Sequence, residues 1–142
     1  MSGKRRLLLV LLVLTVCFIW GHSLMSGETS KAESGSVLDF LTPLLELLVG
    51  RGNATDHLVR KLAHFAEYSL LGLELALWFR GSLAEAETAF LHGFGIAFLD
   101  ESLQLLSSRG SQISDVWLDM AGVLAGIGFV HLLRKVMKKE TE

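Results

Sequence analysis

LLLVLLVLTVCFIW, residues 7–20, follows Lys4, Arg5 and Arg6 and is broken only by Thr15. A membrane-crossing helix needs about 20 mostly apolar residues, and this run with its flanks, about 7–25, is the first of four such stretches. The others lie at about 58–79, 88–106 and 115–133. Together they take up more than half of the 142 residues, and 51% of the chain is hydrophobic, with a mean hydropathy of +0.47. A short soluble domain has too little interior to hide that much apolar surface. The fold expected is therefore an all-α integral membrane protein, a four-transmembrane-helix bundle in one domain spanning 1–142.

Outward from the first run, a basic head followed by an apolar stretch also describes a signal peptide. No clean small-x-small cleavage site follows, although Ser26 and Gly27 come near one, so an uncleaved signal anchor fits better. Residues 26–35 are polar and turn-forming, and the chain leaves the membrane there. Within the outer segment, about 26–57, Val37, Leu38, Phe40, Leu41, Leu44, Leu45, Leu47 and Leu48 recur among Asp39, Thr42 and Glu46. That stretch is too short to span, and it reads as a short amphipathic interfacial helix between spans 1 and 2, with Thr42 and Pro43 as cap and first position. Thr55 and Asp56 are caps for the second span, Ser82 and Glu85 a capping box for the third, and Ser111 or Ser114 a cap for the fourth.

The basic residues orient the chain. With the N-terminus inside, the inner segments hold eight, Lys4, Arg5, Arg6, Arg80, Arg134, Lys135, Lys138 and Lys139, and the outer segments hold five, Lys31, Arg51, Arg60, Lys61 and Arg109. Both termini are thus expected in the cytoplasm, in a multi-pass protein of the cell membrane. A net charge of −2 argues against a nucleic-acid partner. The single cysteine, Cys17, permits no intrachain disulfide and no multi-cysteine zinc site, and reads as a small apolar side chain within the first span.

Ionisable side chains inside a span cost roughly 2.5–3.5 kcal/mol each at the helix centre, so their positions carry information. The second span holds Lys61, His64, Glu67, Tyr68 and Glu74, whose spacings of three, four and seven place them on one broad helix face. Asp100, Glu101 and Gln104 end the third span, Arg109 follows in a short loop, and Asp115 and Asp119 open the fourth. In an up-and-down bundle these residues meet at the outer leaflet. Gly122 and Gly126 continue the Asp115–Asp119 face as a small-xxx-small pair that lets a neighbouring backbone come close. Each polar residue alone is explained by packing between helices. The alignment of the whole set is not. Glu74 lies deeper and is expected to bond to a neighbouring helix, while His22, His92 and His131 near the span ends are given no chemistry.

The same residues resemble the VanZ-like family over nearly the whole chain. Lys61-x-x-His64-Phe65-x-Glu67-Tyr68 followed by Gly72 is similar to that family's K-x-x-H-F-x-E-Y signature. Asp100-Glu101-x-x-Gln104, then Arg109, Asp115, Asp119, Gly122 and Gly126, is similar to its D-E-x-x-Q…R…D…G…G pattern. The stretch from Phe18 and Ser23 through Gly27, Ser30, Ser34 and Ser36 resembles its serine-rich exit from the first span. Asp119 stands where an Asn is common, and Ser107-Ser108 where a turn residue often precedes the arginine. The resemblance implies an envelope membrane protein and a link to low-level teicoplanin resistance, without supplying a molecular activity.

Three functions fit these residues. In the first, Lys61, His64, Glu67, Tyr68, Asp100, Glu101, Gln104, Arg109, Asp115 and Asp119 form an outward-facing site that binds a lipid headgroup, a cell-wall precursor or a glycopeptide. In the second, a hydrolase or transferase uses the His/Glu/Asp cluster, with or without a divalent metal held by oxygens and His64. In the third, Glu74 and Glu101 relay protons in a carrier, which four short spans make the weakest of the three. No organic cofactor is expected.

Overall fold

The computed structural model describes residues 2–24, 35, 39–40, 42–47, 50, 55–79, 83–106 and 113–139. Among them the chain is all-helical, with no strand. The four long helices are α1 (Gly3–Ser23), α2 (Asp56–Trp78), α3 (Leu83–Leu106) and α4 (Ile113–Lys139). The shortest has 21 residues, and at 1.5 Å per residue each reaches about 30 Å or more.

Pairings along the helices fix their directions. Arg5 stacks over the Trp78 ring at 5.1 Å, Thr15 bonds Glu74, and His22 meets Glu67, so α1 and α2 run antiparallel. Trp20 Nε1 donates to Ile96 O and Gln104 to Ser23, so α1 and α3 run parallel. Lys61 and His64 face Asp115 and Asp119, so α2 and α4 run parallel as well. The chain thus goes up, down, up and down.

The α2–α4 contact is the most extensive in the molecule. It is made by glycines whose missing side chains let two backbones touch. A Cβ on Gly122 would lie 2.7 Å from Phe65 O, one on Gly126 would collide with Ser69 O, and one on Gly72 would collide with Val123 O. The core beside this seam is apolar, with Tyr68, Leu71, Leu75, Ala89, Ala97, Val123 and Ile127 all buried. Outward, the bundle is apolar too. Leu7, Leu14 and Phe18 of α1, Leu70 and Leu77 of α2, Leu91 and Phe98 of α3, and Leu124, Phe129 and Leu132 of α4 are exposed. Cys17 is free and exposed on this surface. Two helices, Gly3–Ser23 and Ser114–Lys139, are long and apolar enough to cross a membrane. The charges of α2 and α3 are spread along the helices, and Glu74, Asp100 and Glu101 among them are buried.

Helix ends follow local chemistry with two departures from expectation. Thr55 caps α2, its Oγ1 accepting from Leu58 N at 3.2 Å, and Asp56 forms an i,i+4 pair with Arg60 at 3.2 Å. Ser114, one of the two serines offered as a cap, is already inside α4, which starts at Ile113, and its hydroxyl reaches the Asp115 carboxylate. Thr42, offered as a cap, is itself helical. In the helical stretch 42–47, Leu45 is buried while Leu44 and Leu47 are exposed. Ser82 and Ser111 lie outside the described residues.

Candidate functional site

At 3.6 residues per turn, Lys61, His64 and Tyr68 fall at i, i+3 and i+7 on α2, and Glu67 and Glu74 at i and i+7. The structure separates these two sets, which the sequence places on a single broad face. The first turns toward α4. Lys61 Nζ lies 3.6 Å from Asp115 Oδ1, and His64 Nδ1 lies 3.6 Å from Asp119 Oδ1. The second turns toward α1. Glu67 Oε1 lies 3.8 Å from His22 Nδ1, and Glu74 Oε1 accepts from Thr15 Oγ1 at 3.1 Å. Glu74 thus makes the interhelical bond expected of it, well away from the others.

Helix α3 closes the arrangement from the far side. Asp100 Oδ2 accepts from Gln104 Nε2 at 3.1 Å, one turn along, and Gln104 also reaches Ser23 Oγ at 3.4 Å. Asp100, Asp119 and Tyr68 have at most 1% of their surface exposed. Tyr68 sits among Asp100, Asp119 and Glu67, with its ring stacked over that of His64 at 6.5 Å. Asp119 in turn lies near Asp100, Glu101, Asp115 and Glu67. Glu101 and Gln104 are buried, while Lys61 and Asp115 are part-exposed at the rim, 37% and 29% in their side chains.

Every expected site residue except Arg109 is therefore gathered at one end of the bundle; Arg109 lies outside the described residues. Gly122 and Gly126 pack α4 on α2, Gly122 beside Tyr68. Two participants escaped the sequence reading. His22 is within ring contact of His64, with centroids 6.4 Å apart, and Ser23 is fully buried against Gln104. Their position at the C-terminal end of the first apolar run, level with the start of the second in an up-and-down bundle, was the signal that could have found them.

The cluster is rich in acid. Among the described residues, Glu67, Asp100, Glu101, Asp115 and Asp119 surround Lys61 and two imidazoles, and Lys61 is engaged with Asp115. One atom each from His64, Asp100 and Asp119 lies within 4.8 Å of the others, near enough for the three side chains to turn onto one metal ion. Chemically, the arrangement offers acceptors for amines or hydroxyls, one ammonium for an anion, and a three-sided seat for a cation.

No curated protein and no solved structure matches the chain. The VanZ/LLP1 family model matches residues 8–134, a segment that reaches into all four helices. With two helices able to cross a membrane, the chain is a membrane protein, and it belongs to the VanZ/LLP1 family.

Proposed function

We propose that this is a single-domain, four-span protein of the cell membrane whose polar end faces outward and binds the headgroup of a membrane amphiphile. A lipid, a lipid-linked cell-wall precursor or a membrane-anchored glycopeptide has the required form. One observation carries the reading: polar side chains from all four helices meet at one end of a bundle whose core beside the α2–α4 seam and much of whose outer surface are apolar. Four crossings are supported by helix length and by the exposed Leu and Phe on α2 and α3. Of the ionisable residues that lower the hydropathy of those helices, Glu74, Asp100 and Glu101 are buried within the bundle, where membrane proteins keep such groups. The eight-to-five excess of basic residues supports cytoplasmic termini, and the exposed Leu44 and Leu47 suit a short helix at the outer interface.

Carboxylates beside Lys61, with Tyr68 and Gln104, suit a headgroup that carries both an amine and an acidic or phosphate group. The test is lipid retention by purified protein in nanodiscs of defined composition, read by native mass spectrometry. Enrichment of one headgroup class in the parent, lost in Lys61→Ala and Arg109→Ala, is the expected result. Retention no greater than that of an unrelated four-span protein would defeat the reading. If the bound amphiphile is the cell-wall precursor recognised by teicoplanin, expression in a sensitive host raises the inhibitory concentration, and Glu67→Ala or Glu101→Ala at matched abundance abolishes the effect.

A hydrolase or transferase acting at the same end is the second reading, favoured by the closeness of His64, Asp100 and Asp119. It requires that the retained lipid be converted on incubation, so recovery of unaltered lipid after prolonged incubation counts against it.

A further inference from the structure

We propose that His64, Asp100 and Asp119 bind a single divalent transition-metal ion, of the Zn²⁺ or Mn²⁺ class, between α2, α3 and α4. The three side chains come from three different helices, and their ligand atoms lie within 4.8 Å of one another. Metal–ligand bonds of about 2.0–2.2 Å bring such atoms somewhat closer together than that, which small side-chain rotations achieve without moving a helix.

Burial gives the independent argument. Asp100 is 0% and Asp119 1% exposed, and among the described residues neither Asp100 Oδ1 nor Asp119 Oδ1 receives a hydrogen bond within 3.5 Å, the His64 ring standing off Asp119 Oδ1 at 3.6 Å and Tyr68 lying beside Asp100. Two carboxylates held close together out of water repel each other and each lacks solvation, a combination that proteins relieve by pairing or by coordinating a metal. Lys61 does not supply the relief, since it lies against Asp115. A dication would neutralise both carboxylates and take up both bare oxygens.

The surroundings are those of a supported metal site. Gln104 donates to Asp100 Oδ2, which fixes that carboxylate and leaves Oδ1 directed elsewhere. Tyr68 stacks on the His64 ring and holds its plane. Outer contacts of this kind orient metal ligands and tune their affinity. One imidazole with two carboxylates suits Zn²⁺ or Mn²⁺ better than Ca²⁺, which takes six to eight oxygens. Three protein ligands also leave a coordination position open, as in metal sites that bind water or substrate.

The ion alone is the probe, so the site stands or falls separately from headgroup binding. Purified full-length protein in detergent, stripped with chelator, is titrated with Zn²⁺ and with Mn²⁺ by calorimetry, and the metal retained after dialysis is counted by elemental analysis. The expected result is one ion per chain in the parent and binding weakened at least tenfold in His64→Gln, Asp100→Asn and Asp119→Asn. Glu74→Gln, which neutralises a buried carboxylate away from this end, keeps the parent's affinity. Loading with Co²⁺ gives visible d–d absorption in the parent that Asp119→Asn lacks, and the ion raises the melting temperature of the parent but not of Asp119→Asn. Helicity and elution volume establish that the near-isosteric variants are folded. Absence of saturable binding in the parent, or binding that all three substitutions leave intact, overturns the proposal.

Discussion

Thr15 is the one polar interruption of the first apolar run, and its hydroxyl donates to Glu74 across the α1–α2 contact. Hydrogen bonds between membrane helices contribute about 0.6 kcal/mol on average and up to about 1.7. Thr15→Val should therefore lower stability by roughly that amount, measured by reversible unfolding in micelles, and leave lipid retention unchanged. Glu74→Gln keeps the acceptor oxygen and should cost less than Glu74→Leu, which strands the threonine hydroxyl. At the polar end the order reverses. Asp119→Asn is expected to be at least as stable as the parent without ligand, because it removes repulsion from Asp100 and Glu101, while impairing whatever the site binds. Lower stability together with intact binding would count against Asp119 as a site residue. This end was legible in the sequence because charges inside apolar runs are conspicuous. His22 was not, since a histidine at a span boundary has an ordinary interfacial explanation and only its packing against Glu67 and His64 shows otherwise.

Among the helices, α2 and α4 form the scaffold, and glycine decides how closely they approach. Gly126→Ala places a methyl group against the Ser69 carbonyl and the Leu73 amide, and Gly122→Ala places one against Phe65 O. Backbone atoms cannot step aside as a side chain can, so each substitution should cost about 1–3 kcal/mol or more. Gly128→Ala, with nothing within 4 Å of the added carbon, should be neutral or stabilise by up to about 1 kcal/mol, since glycine weakens a helix interior. Unfolding midpoints of the three variants, compared in the same detergent, check the contrast. The small-xxx-small spacing of Gly122 and Gly126 announced this contact, but Gly72, read only as part of a family signature, proved to be its counterpart on α2. The broad face that periodicity marks on α2 is shared between two neighbours, Lys61 and His64 meeting α4 and Glu67 and Glu74 meeting α1. Helix starts were the least legible, as Ser114 shows, because several serines in succession offer equivalent caps.

For the whole molecule, length and apolar blocks were sufficient to indicate four helices, since each block is as long as a membrane is thick. Composition alone qualifies α1 and α4 as spans, and it counts every charge of α2 and α3 against those helices, the buried Glu74, Asp100 and Glu101 included. The account holds that all four helices cross, with the polar end outside. A membrane-impermeant thiol reagent applied to intact cells tests it most directly, using single cysteines in a Cys17→Ser background. His57→Cys and Ser114→Cys at the polar end should label in intact cells. Gly3→Cys, Glu87→Cys and Lys139→Cys at the opposite end should label only after the membrane is opened. Labelling of Glu87→Cys together with His57→Cys in intact cells would show that α2 does not cross, and would contradict the four-span account.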